Sequence, residues 1–224
     1  MKILTLADFR GNIEATSKLL NTLDMKDIGL VLCSGDFTDA YNVPYGFSVL
    51  NMGEVIVQKI ASLKKPFFCV PGNVDPFDIV SVFADYGANI HHHTKKVKEL
   101  EIAGWGGAVT PFNTNFEPPP AETKQGLEDM AKKIKGEFIL LLHDPPKDTK
   151  LDLLDGKHVG SKEERDFILD KKPVLCVSGH IHEARGTDKL GSTILFNPGS
   201  VSDGCYGIVD ITGKKVTCEL KKFT

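Results

Sequence analysis

The feature that most constrains this chain is a recurrence: short apolar runs that each break off at a residue able to bind a cation or turn the backbone sharply. Residues 3–7 run into Asp8, 30–33 into Ser34-Gly35-Asp36, 67–70 into Pro71-Gly72-Asn73, 139–142 into His143, and 174–177 into Ser178-Gly179-His180. Runs this short, rich in Val, Ile, Leu and Phe and without polar alternation, suit strands buried on both faces. Between several of them lie stretches of helical period. These are 12–23, opened by the good N-cap residue Asn12, then 49–63, and 121–134 with Leu127, Met130, Ala131 and Ile134 on one stripe. Strand and helix alternate, which predicts an α/β fold. Ligands of open α/β sheets bind outside the carboxyl ends of the strands, so the five polar strand ends are expected to converge on a single crevice.

The last third differs in texture. Segments 193–196, 206–211 and 215–220 read as strands separated by the turn signals Asn197-Pro198-Gly199 and Thr212-Gly213-Lys214. They predict an antiparallel finish, a second sheet packed on the first. Segment 97–103 reads as a strand, and 104–120, with Gly104-Trp105-Gly106-Gly107 and Pro118-Pro119-Pro120, as a loop.

At 224 residues the chain is expected to form one domain, 1–224. A net charge of −3, with lysines clustered only in pairs such as Lys95-Lys96, leaves no basic stripe for duplex nucleic acid. No stretch approaches the roughly 20 apolar residues of a membrane span, and the apolar start stops at Asp8, so a cytoplasmic protein is expected. The five cysteines lack CxxC spacing and read as core thiols. Oligomeric state is left open, a dimer included.

Asp8, Asp36, Asn73, His143, His180 and His182 form a set of oxygen and imidazole donors. Such a set suits one or two divalent ions (manganese above all, or iron, zinc, nickel or magnesium) rather than copper or an iron-sulfur cluster. Paired ions can activate water and stabilise a transferring phosphoryl group. The tract His91-His92-His93 is a poorer metal candidate, because neighbouring strand residues point to opposite faces; an exposed strand end is expected there.

In order along the chain, Asp8-Phe9-Arg10-Gly11-Asn12, Gly35-Asp36-Phe37-Thr38-Asp39, Gly72-Asn73-Val74-Asp75, His143-Asp144-Pro145-Pro146 and Gly179-His180-Ile181-His182-Glu183 resemble the five motifs of calcineurin-like metallophosphoesterases. Gly104-Trp105-Gly106-Gly107, His158-Val159-Gly160-Ser161 and Asn197-Pro198-Gly199-Ser200 look like features of small prokaryotic, especially archaeal, members. The resemblance implies a four-layer α-β-β-α sandwich. It implies one metal held by Asp8, Asp36 and His182, another by Asp36, Asn73, His143 and His180, and attack on phosphorus by a metal-bound hydroxide. Asp39 and Asp75 would orient ligands and loops.

Two positions depart from the family pattern. Arg10 stands where the first motif has a histidine ligand, and a guanidinium offers donors only, so it is expected to pair with substrate or a carboxylate. Val74 stands where many relatives have a histidine, which removes a proton donor and makes His158 the best substitute, with phosphodiesters favoured. The expected activity is hydrolysis of a small phosphoester, with Arg10, Asn73 and His158 as catalytic contacts. The competing readings are a phosphomonoesterase and a non-catalytic scaffold on the same fold.

Overall fold

Alternation along each strand sorts the side chains into layers. The computed structural model describes residues 1–39, 41 and 43–223. In chain order the first half contains β1 (Lys2–Leu6), α1 (Ile13–Thr22), β2 (Ile28–Ser34), α2 (Val49–Ala61), β3 (Phe67–Val70), α3 (Ile79–Asp85), β4 (His93–Val97), β5 (Leu100–Trp105) and α4 (Pro120–Ala131). The second half contains β6 (Phe138–Leu142), β7 (Leu153–Leu154), β8 (Lys157–His158), α5 (Lys162–Lys171), β9 (Leu175–Val177), β10 (Gly186–Leu190), β11 (Thr193–Asn197), β12 (Cys205–Thr212) and β13 (Lys215–Lys222).

One sheet has the order β13-β12-β1-β2-β3, the other β10-β11-β9-β6-β5-β4, and β7 with β8 forms a small ribbon. Strands β1, β2 and β3 run parallel, as do β5, β6, β9 and β11. Ile3, Leu30, Leu32 and Val70 from the first sheet meet Ile139, Leu141, Val177 and Phe196 from the second. Their neighbours point the other way. Leu4, Leu6, Val31 and Cys33 pack on Leu19, Ile56, Ile60 and Phe83 of α1 to α3, while Leu140, Leu142 and Cys176 pack on Leu127, Met130, Phe167 and Ile168 of α4 and α5. Each such side chain contributes about 1.5–3 kcal/mol when fully buried. The result is the four-layer α-β-β-α sandwich.

Several expectations change. Segment 97–103 is not one strand: Lys98 takes a left-handed φ of 55° and the chain folds back, so β4 and β5 form a hairpin. As an edge strand, β4 needs no apolar face, and Thr94-Lys95-Lys96 gave no strand signal. Strand β5 continues through Trp105, so the loop begins two residues later than read. The last third is shared out: β12 and β13 extend the first sheet antiparallel to β1, while β11 joins β9 in parallel in the second. The polar strand ends therefore come from both sheets, and they converge only because the two carboxyl edges are stitched together. The Ser34 hydroxyl at the end of β2 donates to the Leu142 carbonyl at the end of β6. Among the described residues no helix is long and apolar enough to cross a membrane. All five cysteines are free thiols, four of them buried.

Candidate metal centre

Asp8, Arg10, Asp36 and His180 all adopt left-handed φ values, 54°, 50°, 52° and 65°. Non-glycine residues take that conformation at a cost of about 1–3 kcal/mol each, and only where surrounding structure enforces it. Here the enforcement is a ladder between the first two loops: Asp8 N–H donates to Gly35 O (3.0 Å), Arg10 N–H to Asp36 O (2.9 Å) and Gly11 N–H to Phe37 O (3.0 Å). The third loop joins through Asp75, whose carboxylate accepts from Phe37 N (3.2 Å), Thr38 N (2.9 Å), Thr38 Oγ1 (2.9 Å) and Gly72 N (2.8 Å). Burial and the nearby Asp36 push the Asp75 carboxyl up to about 6, against those four donors. Gly72 is required at its position, since a Cβ there would lie 2.0 Å from Asp36 Oδ1.

One half of the centre gathers four potential donor atoms on one point. His143 Nδ1 lies 2.7 Å from the Ser34 carbonyl, which can only accept, so Nδ1 carries the hydrogen. Nε2 then faces Asn73 Oδ1 at 3.1 Å and Asp36 Oδ1 at 3.5 Å. The Asn73 amide nitrogen donates to Thr114 Oγ1 (3.0 Å), which turns Oδ1 towards His143. His180 closes the group, its ring 5.0 Å from that of His143. Burial, then His143, hold its pKa down to about 3, so the imidazole is neutral, and its Nδ1 is buried without a partner. Donor atoms of Asp36, His143 and His180 lie within 4.8 Å of one another. Only a proton or a metal ion can occupy the point where such lone pairs meet, and two imidazoles with two oxygens suit a borderline-to-hard divalent cation.

Residues 1–221 match the family profile described as metallophosphoesterase, calcineurin superfamily. This chain belongs to that superfamily. An uncharacterised Methanocaldococcus jannaschii protein, MJ1162, is 34% identical over 214 residues, covering 92% of this chain and 91% of the relative. Two solved structures share the fold. TT1561 of Thermus thermophilus aligns with a TM-score of 0.76 at 18% identity, covering 97% of each chain. A dimetal phosphatase from Danio rerio aligns at 0.69 and 9% identity, covering 99% of this chain and 96% of that one.

In this metallophosphoesterase the other half of the centre is closed differently. Asp8 Oδ2 accepts from His180 N–H (3.1 Å), while Asp8 Oδ1 faces His182 Nε2 at 3.3 Å without the alignment of a hydrogen bond. Burial raises the Asp8 carboxyl, but His182, His143 and Arg10 outweigh it and hold the group below its ordinary range. Burial lowers His182, and Asp8 and Asp203 outweigh that in turn, leaving its pKa raised; Asp203 Oδ2 lies 3.3 Å from Nδ1. Arg10 Nη2 sits 3.0 Å from Asp36 Oδ2.

The structure thus brings Asp8, Arg10, Asp36, Asn73, His143, His180 and His182 together. His158 is held elsewhere. It is exposed on β8 with Nδ1 2.7 Å from Asp152 Oδ1, and among the described residues no hydrogen bond or ion pair ties it to the other seven. Val74 serves through its backbone, its N–H donating to Asp36 Oδ1 (3.2 Å). The histidine tract is less exposed than expected. His91 and His92 are half-buried and lean on Trp105, with ring centroids 4.7 and 5.6 Å away, because β5 extends beneath them; His93 alone is exposed. Trp105 is a buried plug against α4. Sequence reasoning missed Thr114 and Asp203, which meet Asn73 and His182 from segments carrying no motif.

Proposed function

We propose that this metallophosphoesterase hydrolyses small phosphoesters, diesters in preference to monoesters, at a divalent-metal centre formed by Asp8, Asp36, Asn73, His143, His180 and His182. The observation that carries the reading is the meeting of His143 Nε2, Asn73 Oδ1 and Asp36 Oδ1 at 3.1 and 3.5 Å, with the unpartnered Nδ1 of His180 beside them. Buried acceptors aimed at one point are costly unless a cation satisfies them. When bound, a divalent ion supplies Lewis acidity, lowering the pKa of water and screening phosphoryl charge. Manganese is the ion favoured for this donor set.

The chain's own residues divide the remaining work. Ser34 fixes the His143 tautomer, and Thr114 fixes the Asn73 amide. Asp75 binds the second and third loops into one rigid rim, which keeps Asp36 and Asn73 in register. Arg10, 32% exposed, offers N–H donors to a phosphoryl oxygen. Preference for diesters follows from Val74, which has no proton to give a leaving alcohol, so leaving groups of low pKa are favoured.

Metal-stripped protein is expected to hydrolyse bis-p-nitrophenyl phosphate only after manganese is added, and faster than p-nitrophenyl phosphate. Asn73→Ala and His143→Ala, each lacking a ligand, should lose roughly 100-fold or more. A rate favouring the monoester would reverse the substrate preference. Folded protein inactive with manganese, nickel, iron and zinc alike would overturn the enzyme reading.

A further inference from the structure

We infer that Arg10 takes the place of one metal ion, so that the centre holds a single divalent ion beside a permanent guanidinium charge. The inference rests on the metal-centre reading above and concerns its asymmetry. Asp36, the carboxylate that would bridge two ions, is divided between two unlike environments. Its Oδ1 belongs to the lone-pair cluster with His143 Nε2 at 3.5 Å, whereas its Oδ2 lies 3.0 Å from Arg10 Nη2. The side of Asp36 that a second ion would use already has a cation on it.

The rest of that half is electrically closed too. Asp8 has one oxygen accepting from His180 N–H at 3.1 Å and the other facing His182 Nε2 at 3.3 Å. His182 is itself flanked by Asp203 at 3.3 Å, so the imidazole lies between two carboxylates. Two carboxylates, Asp8 and Asp36, therefore face one guanidinium and one imidazole held between acids. Among the described residues, only the other half has three metal-capable side chains whose donor atoms converge within 4.8 Å, namely Asp36, His143 and His180. Arg10 is also not a passive surface residue: its guanidinium lies 3.0 Å from Asp36 Oδ2, and its left-handed backbone is pinned by the bond to Asp36 O at 2.9 Å. A divalent ion entering the Asp8 and His182 half would meet a guanidinium that cannot lose its proton.

One consequence is chemical. A guanidinium neutralises charge and donates hydrogen bonds, but unlike a metal ion it does not polarise water. The Arg10 side chain is 32% exposed and only its Nη2 faces Asp36, so the guanidinium keeps N–H donors for a phosphoryl oxygen brought to the centre. Arg10 would hold and neutralise the phosphate while the single ion carries the Lewis-acid role.

The test is metal counting on gel-filtered protein loaded with manganese, for wild type, Arg10→His and Arg10→Ala, with manganese electron paramagnetic resonance on the same samples. Wild type is expected to hold one ion per chain with the spectrum of an isolated Mn(II). Arg10→His should double the count and give a spin-coupled pair, and Arg10→Ala, which removes the charge without adding a ligand, should fall between. Two coupled ions in wild type would overturn the inference and leave the metal centre standing. One ion in both wild type and Arg10→His would show that Arg10 is not what excludes the second. No bound manganese in folded wild type would instead refute the metal-centre reading itself, independently of Arg10.

Discussion

At the scale of single residues, the metal-centre candidates other than His182 stand out because each follows an apolar run, and a polar group at that position has few uses besides a ligand or a turn. Glu164 does not. It lies in Lys162-Glu163-Glu164-Arg165, which reads as a solvated helix start, yet Glu164 is 1% exposed and its Oε2 has no partner. Burial first, then Asp144 and Glu163, push its carboxyl well up, and Asp144, the residue after His143, is raised by burial and Asp152 in the same way. A carboxyl whose folded pKa is raised contributes stability fully below its unfolded value and loses it as pH climbs towards the folded one. The contributions of Glu164 and Asp144 should therefore decline from about pH 5 upward. Glu164→Gln keeps the shape without the charge, so thermal melts between pH 5 and 9 should show a shallower decline and a gain of about 1–3 kcal/mol over wild type at pH 8. Parallel curves for the two proteins would mean Glu164 is already solvated when ionised.

Elements were legible where burial made them uniformly apolar and illegible where they lie at an edge. The strands β1, β2, β3, β6 and β9 are nearly all buried, while β4 and α5 show the solvent a charged face and gave no periodic signal. The seating of α4 was also hidden, because it depends on an absent side chain. Gly126, within the helix, faces the Trp105 ring so closely that a Cβ would lie 2.0 Å from Cζ3 and 2.3 Å from Cη2. Trp105 is backed by His91 at 4.7 Å and has little room to yield. Alanine favours a helix over glycine by about 1 kcal/mol, but overpacking costs about 1–3 kcal/mol. Gly126→Ala is thus expected to be destabilising on balance in a denaturant titration, with a lower midpoint. A raised midpoint would show that helix propensity outweighs the clash and that the sheet-to-helix layer adjusts.

For the whole molecule, a second sheet was expected, but the runs of apolar residues could not reveal how they divide between the two, since a strand buried between helix and sheet reads the same as one buried between two helices. The two-sheet arrangement matters to the centre. Asp8, Asp36 and Asn73 follow β1, β2 and β3 of one sheet, and His143 and His180 follow β6 and β9 of the other. An ion bound by both groups would tie the two sheets at their carboxyl edges, adding to the apolar layer of Ile3, Leu30, Leu32, Ile139 and Leu141 between them. If the chain is one cooperative unit, calorimetry of chelator-treated protein should give a single transition, and manganese should move all of it. With free ion at 100 times its dissociation constant the gain is about 2.7 kcal/mol. For a chain of this size that corresponds to a rise of about 5–10 °C in Tm. Two transitions, of which manganese moved only one, would mean that the sheets unfold separately and that the ion is held by one of them alone.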